Sequence, residues 1–292
     1  MLRGSLVALV TPFNSDGSVN YDELEGLLEY HCDKSDGIVI LGTTGESSTL
    51  NFEEEEKIVE FSAKIINKRV PLIVGSGSNE TEKAVKMSYK YSRLGADYLL
   101  VITPYYNKTN ESGLISHFEA IAEASACPII LYNVPSRTGM SIPISAYARL
   151  SKNPKIVGVK EASGNMSYTM KITKYLSEDF FLLSGNDDII VPMMSIGAKG
   201  VISVLANVAP VQTKTMCDLC LKGEFKAANK IQVKLLDFIN ALFIEVNPIP
   251  VKAIMSFLGW DTKVYRAPLD APTEEDYETI VSTYEKLRED IF

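Results

Sequence analysis

An eightfold α/β barrel is the architecture this sequence predicts, and three observations predict it. Short β-branched runs recur at intervals of ~20–35 residues, bounded by Gly, Pro, Ser or Asn. Amphipathic helical stretches separate them. The first run leads into Val10-Thr11-Pro12-Phe13 rather than into the glycine-rich loop that an open dinucleotide-binding sheet would need. Continuous apolar strands joined by helical crossovers imply a parallel sheet covered on both faces. Eight such units in about 200 residues fit a closed (β/α)8 barrel better than the open doubly wound alternative.

The eight runs are Leu6–Val10, Ile38–Leu41, Leu72–Val74, Tyr98–Ile102, Ile129–Tyr132, Ile156–Lys160, Phe181–Leu183 and Gly200–Val204. Between them the helices are marked by their caps. Asn20 precedes Tyr21–His31, and Asn51 precedes the acidic turn Glu53-Glu54-Glu55-Glu56, whose charge complements the helix dipole. The barrel is assigned residues 1–208. From Ala209 to Phe292 the chain reads as helices only, broken at Asn247-Pro248-Ile249-Pro250 and Ala267-Pro268. The last helix opens with Thr273-Glu274-Glu275-Asp276, a capping-box pattern, and segment 209–292 reads as a helical appendix packed on the barrel.

Composition narrows the function. The chain has 292 residues, with 29 Lys+Arg against 37 Asp+Glu and a net charge of −8, so it lacks the clustered cations that nucleic acid requires. No apolar run approaches the ~18 residues that span a bilayer, and Leu6–Val10 is too short for a secretory core, so a cytoplasmic protein is expected. Reduced Cys32, Cys127, Cys217 and Cys220 fit that compartment. Cys217 and Cys220 form an isolated CxxC. With His31 and His117 as the sole imidazoles, a zinc site would lack ligands, and the pair reads as small helical hydrophobes.

Barrels of this kind carry their chemistry at the carboxyl ends of the strands, so the residues after each run are the informative ones. They are Gly42-Thr43-Thr44-Gly45-Glu46, Thr103-Pro104-Tyr105-Tyr106, Tyr132-Asn133-Val134-Pro135-Ser136-Arg137-Thr138-Gly139, Lys160-Glu161 and Ser184-Gly185-Asn186-Asp187. Strand alternation puts Lys160 on one face with Ile156 and Gly158, and that face is expected to point inward with Gly158 leaving room for the long side chain. A lysine of pKa about 10.4 is only about 0.1% neutral near pH 7.5, and burial that lowers it by two to three units, at about 3–4 kcal/mol, makes a nucleophile suited to imine formation with a ketone or aldehyde. The competing reading is a strand-end lysine in solvent. Successive amides of Gly42–Glu46 can form a concave site for a carboxylate, with two hydroxyls beside it, or an ordinary βα turn. Tyr132 can reach the rim as a general acid/base or serve as packing. Arg137 can hold a second carboxylate bidentately or be solvated.

Taken together with Asn247-Pro248-Ile249-Pro250-Val251-Lys252, these motifs resemble the dihydrodipicolinate (4-hydroxy-tetrahydrodipicolinate) synthases over nearly the whole chain. Those synthases belong to the pyruvate-dependent class I aldolases, which include N-acetylneuraminate lyase. The resemblance implies a lyase that condenses pyruvate with L-aspartate 4-semialdehyde in lysine and diaminopimelate biosynthesis, with no metal or organic cofactor. It implies Lys160 as the Schiff-base nucleophile and Tyr132, Thr43 and Tyr106 as a proton relay, Tyr106 being inserted from a neighbouring subunit. The amides of Thr43 and Thr44 would hold the pyruvate carboxylate, Arg137 the semialdehyde carboxylate, and the main chain at Gly185 and Ile202 would line the pocket. A homodimer at least, and usually a tetramer, follows for the family. If Tyr106 must reach across a subunit boundary, its backbone is expected in a sparsely populated dihedral region.

The family's lysine effector site is matched in part. Ser47, Asn79 and Tyr105 fit it, but Phe52 and Glu55 stand where lysine-sensitive members carry histidines, and Lys83 where they carry glutamate. Weak or absent lysine inhibition is expected. A sister aldolase for a sugar acid and a non-catalytic carboxylate-binding barrel are the rival readings; Arg137 argues against the first, and the second has no need of Lys160.

Overall fold

The computed structural model describes residues 2–291. Its elements run β1 (Gly4–Ala8), α1 (Tyr21–Lys34), β2 (Gly37–Ile40), α2 (Phe52–Ile66), β3 (Leu72–Gly75), α3 (Thr81–Tyr91), β4 (Tyr98–Ile102) and α4 (Glu111–Ala124). They continue β5 (Ile129–Asn133), α5 (Pro135–Thr138), α6 (Ile144–Leu150), β6 (Ile156–Glu161), α7 (Met166–Ile172), β7 (Phe181–Ser184), α8 (Ile190–Ser195) and β8 (Gly200–Ser203). Helices α9 (Pro210–Leu221), α10 (Phe225–Ala241), α11 (Ile249–Phe257) and α12 (Glu274–Ile291) complete the chain. The strands pair in sequence order, all parallel, and β8 closes on β1 to make the expected barrel.

Period-two alternation sorts each apolar run between two cores. Leu6, Val39, Ile73, Leu100, Ile130, Leu183 and Ile202 fill the barrel interior, while their neighbours Val7, Ile38, Val74, Leu99, Leu131, Leu182 and Val201 face the helices. With both faces buried, the runs carry no polar alternation, and this is why they were readable.

Asparagine caps set several helix starts. Asn20 accepts from Glu23 N, Asn110 from Gly113 N and Asn165 from Tyr168 N. Asn51 and Glu54 form a complete capping box. At α12 only half of the expected box forms: Asp276 N donates to Thr273 Oγ1, but the Thr273 amide is taken by Glu245 Oε1, so the Asp276 carboxylate accepts the Thr273 hydroxyl instead.

The all-helical segment after residue 208 begins with a helix of the barrel's own ring, since α9 packs on β1, β8 and α1. Beyond it, α10 lies on α8 and α9, and α12 lies on α10 and α11. No helix among the described residues is long and apolar enough to cross a membrane.

Candidate active site

The tips of β5, β6 and β7 bring the predicted lysine and tyrosine together. Tyr132 and Lys160 are paired in register, and the Lys160 ammonium lies 4.2 Å from the centroid of the Tyr132 ring. Both are almost completely buried, at 7% exposure for Lys160 and 8% for Tyr132. The ring face offers the cation a weak electrostatic partner that leaves its N–H bonds uncommitted.

The route by which Lys160 reaches this position corrects two expectations. Ile129 pairs with Ile156 but Ile130 pairs with Gly158, so β6 advances two residues where β5 advances one. This bulge flips the face: Ile156 packs in the outer core and Val157 against the inner one, so Lys160 does not share a face with Ile156. Nor does Gly158 make room for the lysine. A Cβ there would lie 2.6 Å from Phe181 O and 2.7 Å from its ring, so Gly158 accommodates Phe181. Gly185 is the residue that accommodates the lysine stem, because a Cβ at that position would sit 3.0 Å from Lys160 Cε and 2.6 Å from Ala162 Cβ.

One residue beyond this pair, alternation turns Asn133 and Glu161 to the other side, where they latch the two strands. Asn133 Nδ2 donates to Glu161 Oε2 at 2.7 Å, Ser163 N donates to Glu161 Oε1 at 2.6 Å, and Ile142 N donates to Asn133 Oδ1 at 2.9 Å. Burial pushes the Glu161 carboxyl up, opposed by the bonds from Ser163 and Asn133. The sequence motifs contain both residues but suggested no role for them.

Opposite stands the Gly42–Glu46 loop, entered and left through left-handed backbone at Leu41 (φ 53°) and Glu46 (φ 53°). Gly75 on β3 is required beside it, since any Cβ there would collide with the Leu41 carbonyl. Gly45 N and Glu46 N turn back to Gly42 O and Thr43 O, both at 3.1 Å, whereas the amides of Thr43 and Thr44 meet no acceptor among the described residues. Two adjacent free N–H groups make the kind of concave anion site the loop suggested. The Thr44 hydroxyl is already engaged, accepting from Asn247 Nδ2 at 3.0 Å. Asn247 O in turn accepts from Arg137 Nη2 at 3.2 Å, so one residue of the C-terminal segment touches both expected carboxylate sites.

That segment also anchors the loop from below. Glu46 and Lys252 form an ion pair at 2.5 Å with both side chains fully buried. Lys252 further donates to Thr11 O at 3.2 Å and Val264 O at 2.6 Å, and its ammonium faces the rings of Phe13 and Tyr265. Burial pushes Lys252 down, opposed by Glu46. Arg266 N reaches the second Glu46 oxygen at 3.2 Å, and the Arg266 guanidinium clasps Glu54 at 2.8 and 2.5 Å. Glu46 and Lys252 both lie inside motifs quoted above, but nothing local pairs them.

A cavity of about 440 Å³ is lined by Gly42, Thr43, Tyr132 and Arg137 together with Ser48, Glu55, Lys83 and Tyr105. Lys160, Thr44, Gly185 and Ile202 are not among its lining residues, and neither is Tyr106. Its φ is 68°, the strained backbone expected of it, and its side chain is 91% exposed. Of the six effector-site candidates, Ser47, Glu55, Lys83 and Tyr105 line the cavity. Phe52 lines a separate surface hollow with Lys83, and Asn79 O accepts from Asn107 Nδ2 at 2.9 Å. Glu55 accepts from the Tyr91 hydroxyl at 2.5 Å; burial pushes its carboxyl up, opposed by that bond and by Lys83.

The remaining reactive side chains are structural. Burial pushes Cys217 well up and Cys220 to about 11, and it pushes His31 down to about 3 and His117 to about 4. Among the described residues, no group of three or more His, Cys, Asp or Glu side chains could hold a metal ion.

Known proteins share this arrangement of chain. A model of the dihydrodipicolinate synthetase family matches residues 1–287. The 4-hydroxy-tetrahydrodipicolinate synthase 1 of Clostridium acetobutylicum is 47% identical over 283 residues, 96% of each chain. The crystal structure of dihydrodipicolinate synthase from Aquifex aeolicus superposes with a TM-score of 0.94 at 43% identity, covering 99% of this chain and 98% of that one. A chloride-inhibited dihydrodipicolinate synthase from Acinetobacter baumannii, solved with pyruvate, superposes at 0.96 with 38% identity and full coverage of both chains, 100% each.

Proposed function

The chain belongs to the dihydrodipicolinate synthetase family, and from that premise we propose that it is a lyase condensing pyruvate with L-aspartate 4-semialdehyde to 4-hydroxy-tetrahydrodipicolinate, in lysine and diaminopimelate biosynthesis. The observation that carries this reading is the buried Lys160 ammonium, held over Tyr132 with no ion pair among the described residues. The deprotonated Lys160 amine adds to the keto carbon of pyruvate, and water leaves to give a cationic imine. Removal of a methyl proton gives a neutral enamine, whose carbon attacks the aldehyde. The semialdehyde's own amine then displaces Lys160 and closes the ring.

Tyr132 and Thr43 line the same cavity, which suits them to move protons between the nitrogen and the departing oxygen. The free amides of Thr43 and Thr44 take the pyruvate carboxylate, and Arg137, half-anchored on Asn247, takes that of the semialdehyde. The main chain at Gly185 and Ile202 is assigned to the wall near the imine, a reading supported by Gly185 lying against the lysine stem and by Ile202 facing the barrel interior.

Tyr106 completes the relay from a second copy of this chain. Its near-total exposure and left-handed backbone support that role. On that reading the working enzyme is a homodimer or a tetramer of paired dimers, in the cytoplasm. Lys83, which lines the cavity, corresponds in sequence to an acid of the family's lysine-sensitive members, and on that reading lysine inhibits weakly or not at all; half-maximal inhibition at submillimolar lysine would overturn this.

Borohydride added in the presence of pyruvate, followed by peptide mass spectrometry, tests the central step. The expected result is a reduced pyruvate adduct on Lys160, together with turnover of aspartate semialdehyde and none of N-acetylneuraminate. Absence of the adduct rejects the imine route.

A further inference from the structure

The surroundings of Lys160 contain one charged group that the reaction above does not use. Asp187 follows β7 on the same turn as Gly185, whose missing side chain lets that turn lie against the lysine stem. It is 2% exposed. Its Oδ2 accepts from the amides of Val204 and Leu205, both at 2.9 Å, while its Oδ1 is buried without a hydrogen-bond partner. A half-satisfied buried carboxylate is costly unless a positive charge compensates it. Burial pushes the Asp187 carboxyl up; the amide bonds from Leu205 and Val204 act against it, as does the charge of Lys160, the one cation that acts on it, with no direct ion pair between the two.

The other groups nearby are otherwise engaged. Glu161, next to Lys160 in sequence, is held by Asn133 and Ser163. Tyr132 faces Lys160 from β5 with its ring. On the far side of Asp187, the Cys217 thiol of α9 feels its charge, and Gln232 of α10 donates to its main-chain carbonyl at 2.8 Å.

Building on the assignment of Lys160 as the imine-forming nucleophile, we propose that Asp187 is the counter-ion of the nitrogen at Lys160, a positioning residue that holds the positive charge of both the ammonium and the imine. The charge balance of the reaction makes this useful. Ammonium and ketone give cationic imine and water, so one positive charge enters and one remains on nitrogen. The charge disappears when the methyl proton is lost to form the enamine, and it returns when the enamine attacks the aldehyde. A fixed carboxylate therefore stabilises the imines on either side of carbon–carbon bond formation.

Asp187→Asn keeps the shape and an acceptor for the two amides but removes the charge. The experiment follows borohydride trapping of pyruvate on Lys160 as a function of pyruvate concentration and pH. The expected result is an approximately tenfold higher pyruvate concentration for half-trapping, with the pH limb for imine formation moved about one unit to the acid side, the shift that loss of a nearby opposite charge produces. A purely structural defect would weaken trapping at every pH and leave the limb in place; an unmoved limb overturns the proposal. Should the Asn variant fail to fold, Asp187→Glu takes its place: a limb at the wild-type position supports the counter-ion, and one displaced to acid rejects it. A wild-type protein that traps no pyruvate would instead reject the imine reading itself.

Discussion

Lys160 and Lys252 are both buried lysines lying over aromatic rings, and their regions handle the same charge in opposite ways. Lys252, at the junction of α11 with the Gly42–Glu46 loop, is fully enclosed and committed to a carboxylate and two carbonyls. Lys160, at the tips of β5, β6 and β7, has a ring on one side and no direct ion pair among the described residues. An ammonium bound on every side is a strut, while one with open N–H bonds has reactivity left. What separates them is the number of partners rather than the residue type or the depth of burial.

The largest test of this contrast is removal of the reactive amine. Lys160→Ala is expected to lower kcat by at least about 10³-fold and to abolish the trapped adduct, with a smaller loss of stability than removal of Lys252, because no direct ion pair or hydrogen bond is lost and only the longer-range compensation of Asp187 goes with the amine. Steady-state kinetics beside thermal melts would show the split. Tyr132→Phe keeps the ring under the ammonium and removes only the hydroxyl, so the expected loss of roughly 10²–10⁴-fold in kcat should come with an intact fold and slow but measurable trapping.

On the other side, the expected loss is in stability first. Lys252→Met leaves Glu46 as an unpaired buried carboxylate and should cost about 3–5 kcal/mol, read by denaturant unfolding. Adding Glu46→Gln to the same protein should recover part of that loss, because the uncompensated charge goes with it. If the single variant melts normally yet loses its chemistry, the contrast drawn here is wrong.

Much of this was legible in the sequence, and the exceptions share a cause. The strands, the asparagine caps and the strand-end motifs are local patterns, and local patterns are what sequence spacing reports. The inward turn of Lys160 was right for a partly wrong reason: the bulge that moves Ile156 to the outer face depends on pairing with Ile129 and Ile130 on another strand. Gly158 looked like space for its neighbour on the strand, whereas its true neighbour is Phe181. The pairing of Glu46 with Lys252 spans 206 positions, and nothing in either motif points to the other. Long-range partners decide these cases.

A milder test uses pH. His31 is buried, with Nδ1 3.1 Å from Ser35 Oγ and Nε2 without a partner, and burial holds it down to about 3. The unfolded chain therefore binds a proton that the folded one refuses between about pH 6.5 and 3. Stability from this group is present above pH 6.5 and falls as the pH drops, with a slope approaching about 1.4 kcal/mol per unit. Unfolding free energies measured from pH 7 to 5 should show a shallower decline for His31→Gln than for wild type; parallel lines would refute the assignment.

The smallest expected effect concerns the residue where the two regions meet. Asn247 holds Thr44 through its side chain and Arg137 through its backbone carbonyl. Asn247→Ala removes the first contact and keeps the second. Losing one such hydrogen bond, worth about 1 kcal/mol, should raise the KM for pyruvate roughly fivefold. The KM for aspartate semialdehyde should stay within about twofold, since the carbonyl under Arg137 survives the substitution. An equal rise in both constants would mean that the start of α11 had moved as a body. In that case the C-terminal segment would be shaping the pocket through its backbone, and the side-chain bond to Thr44 would be incidental.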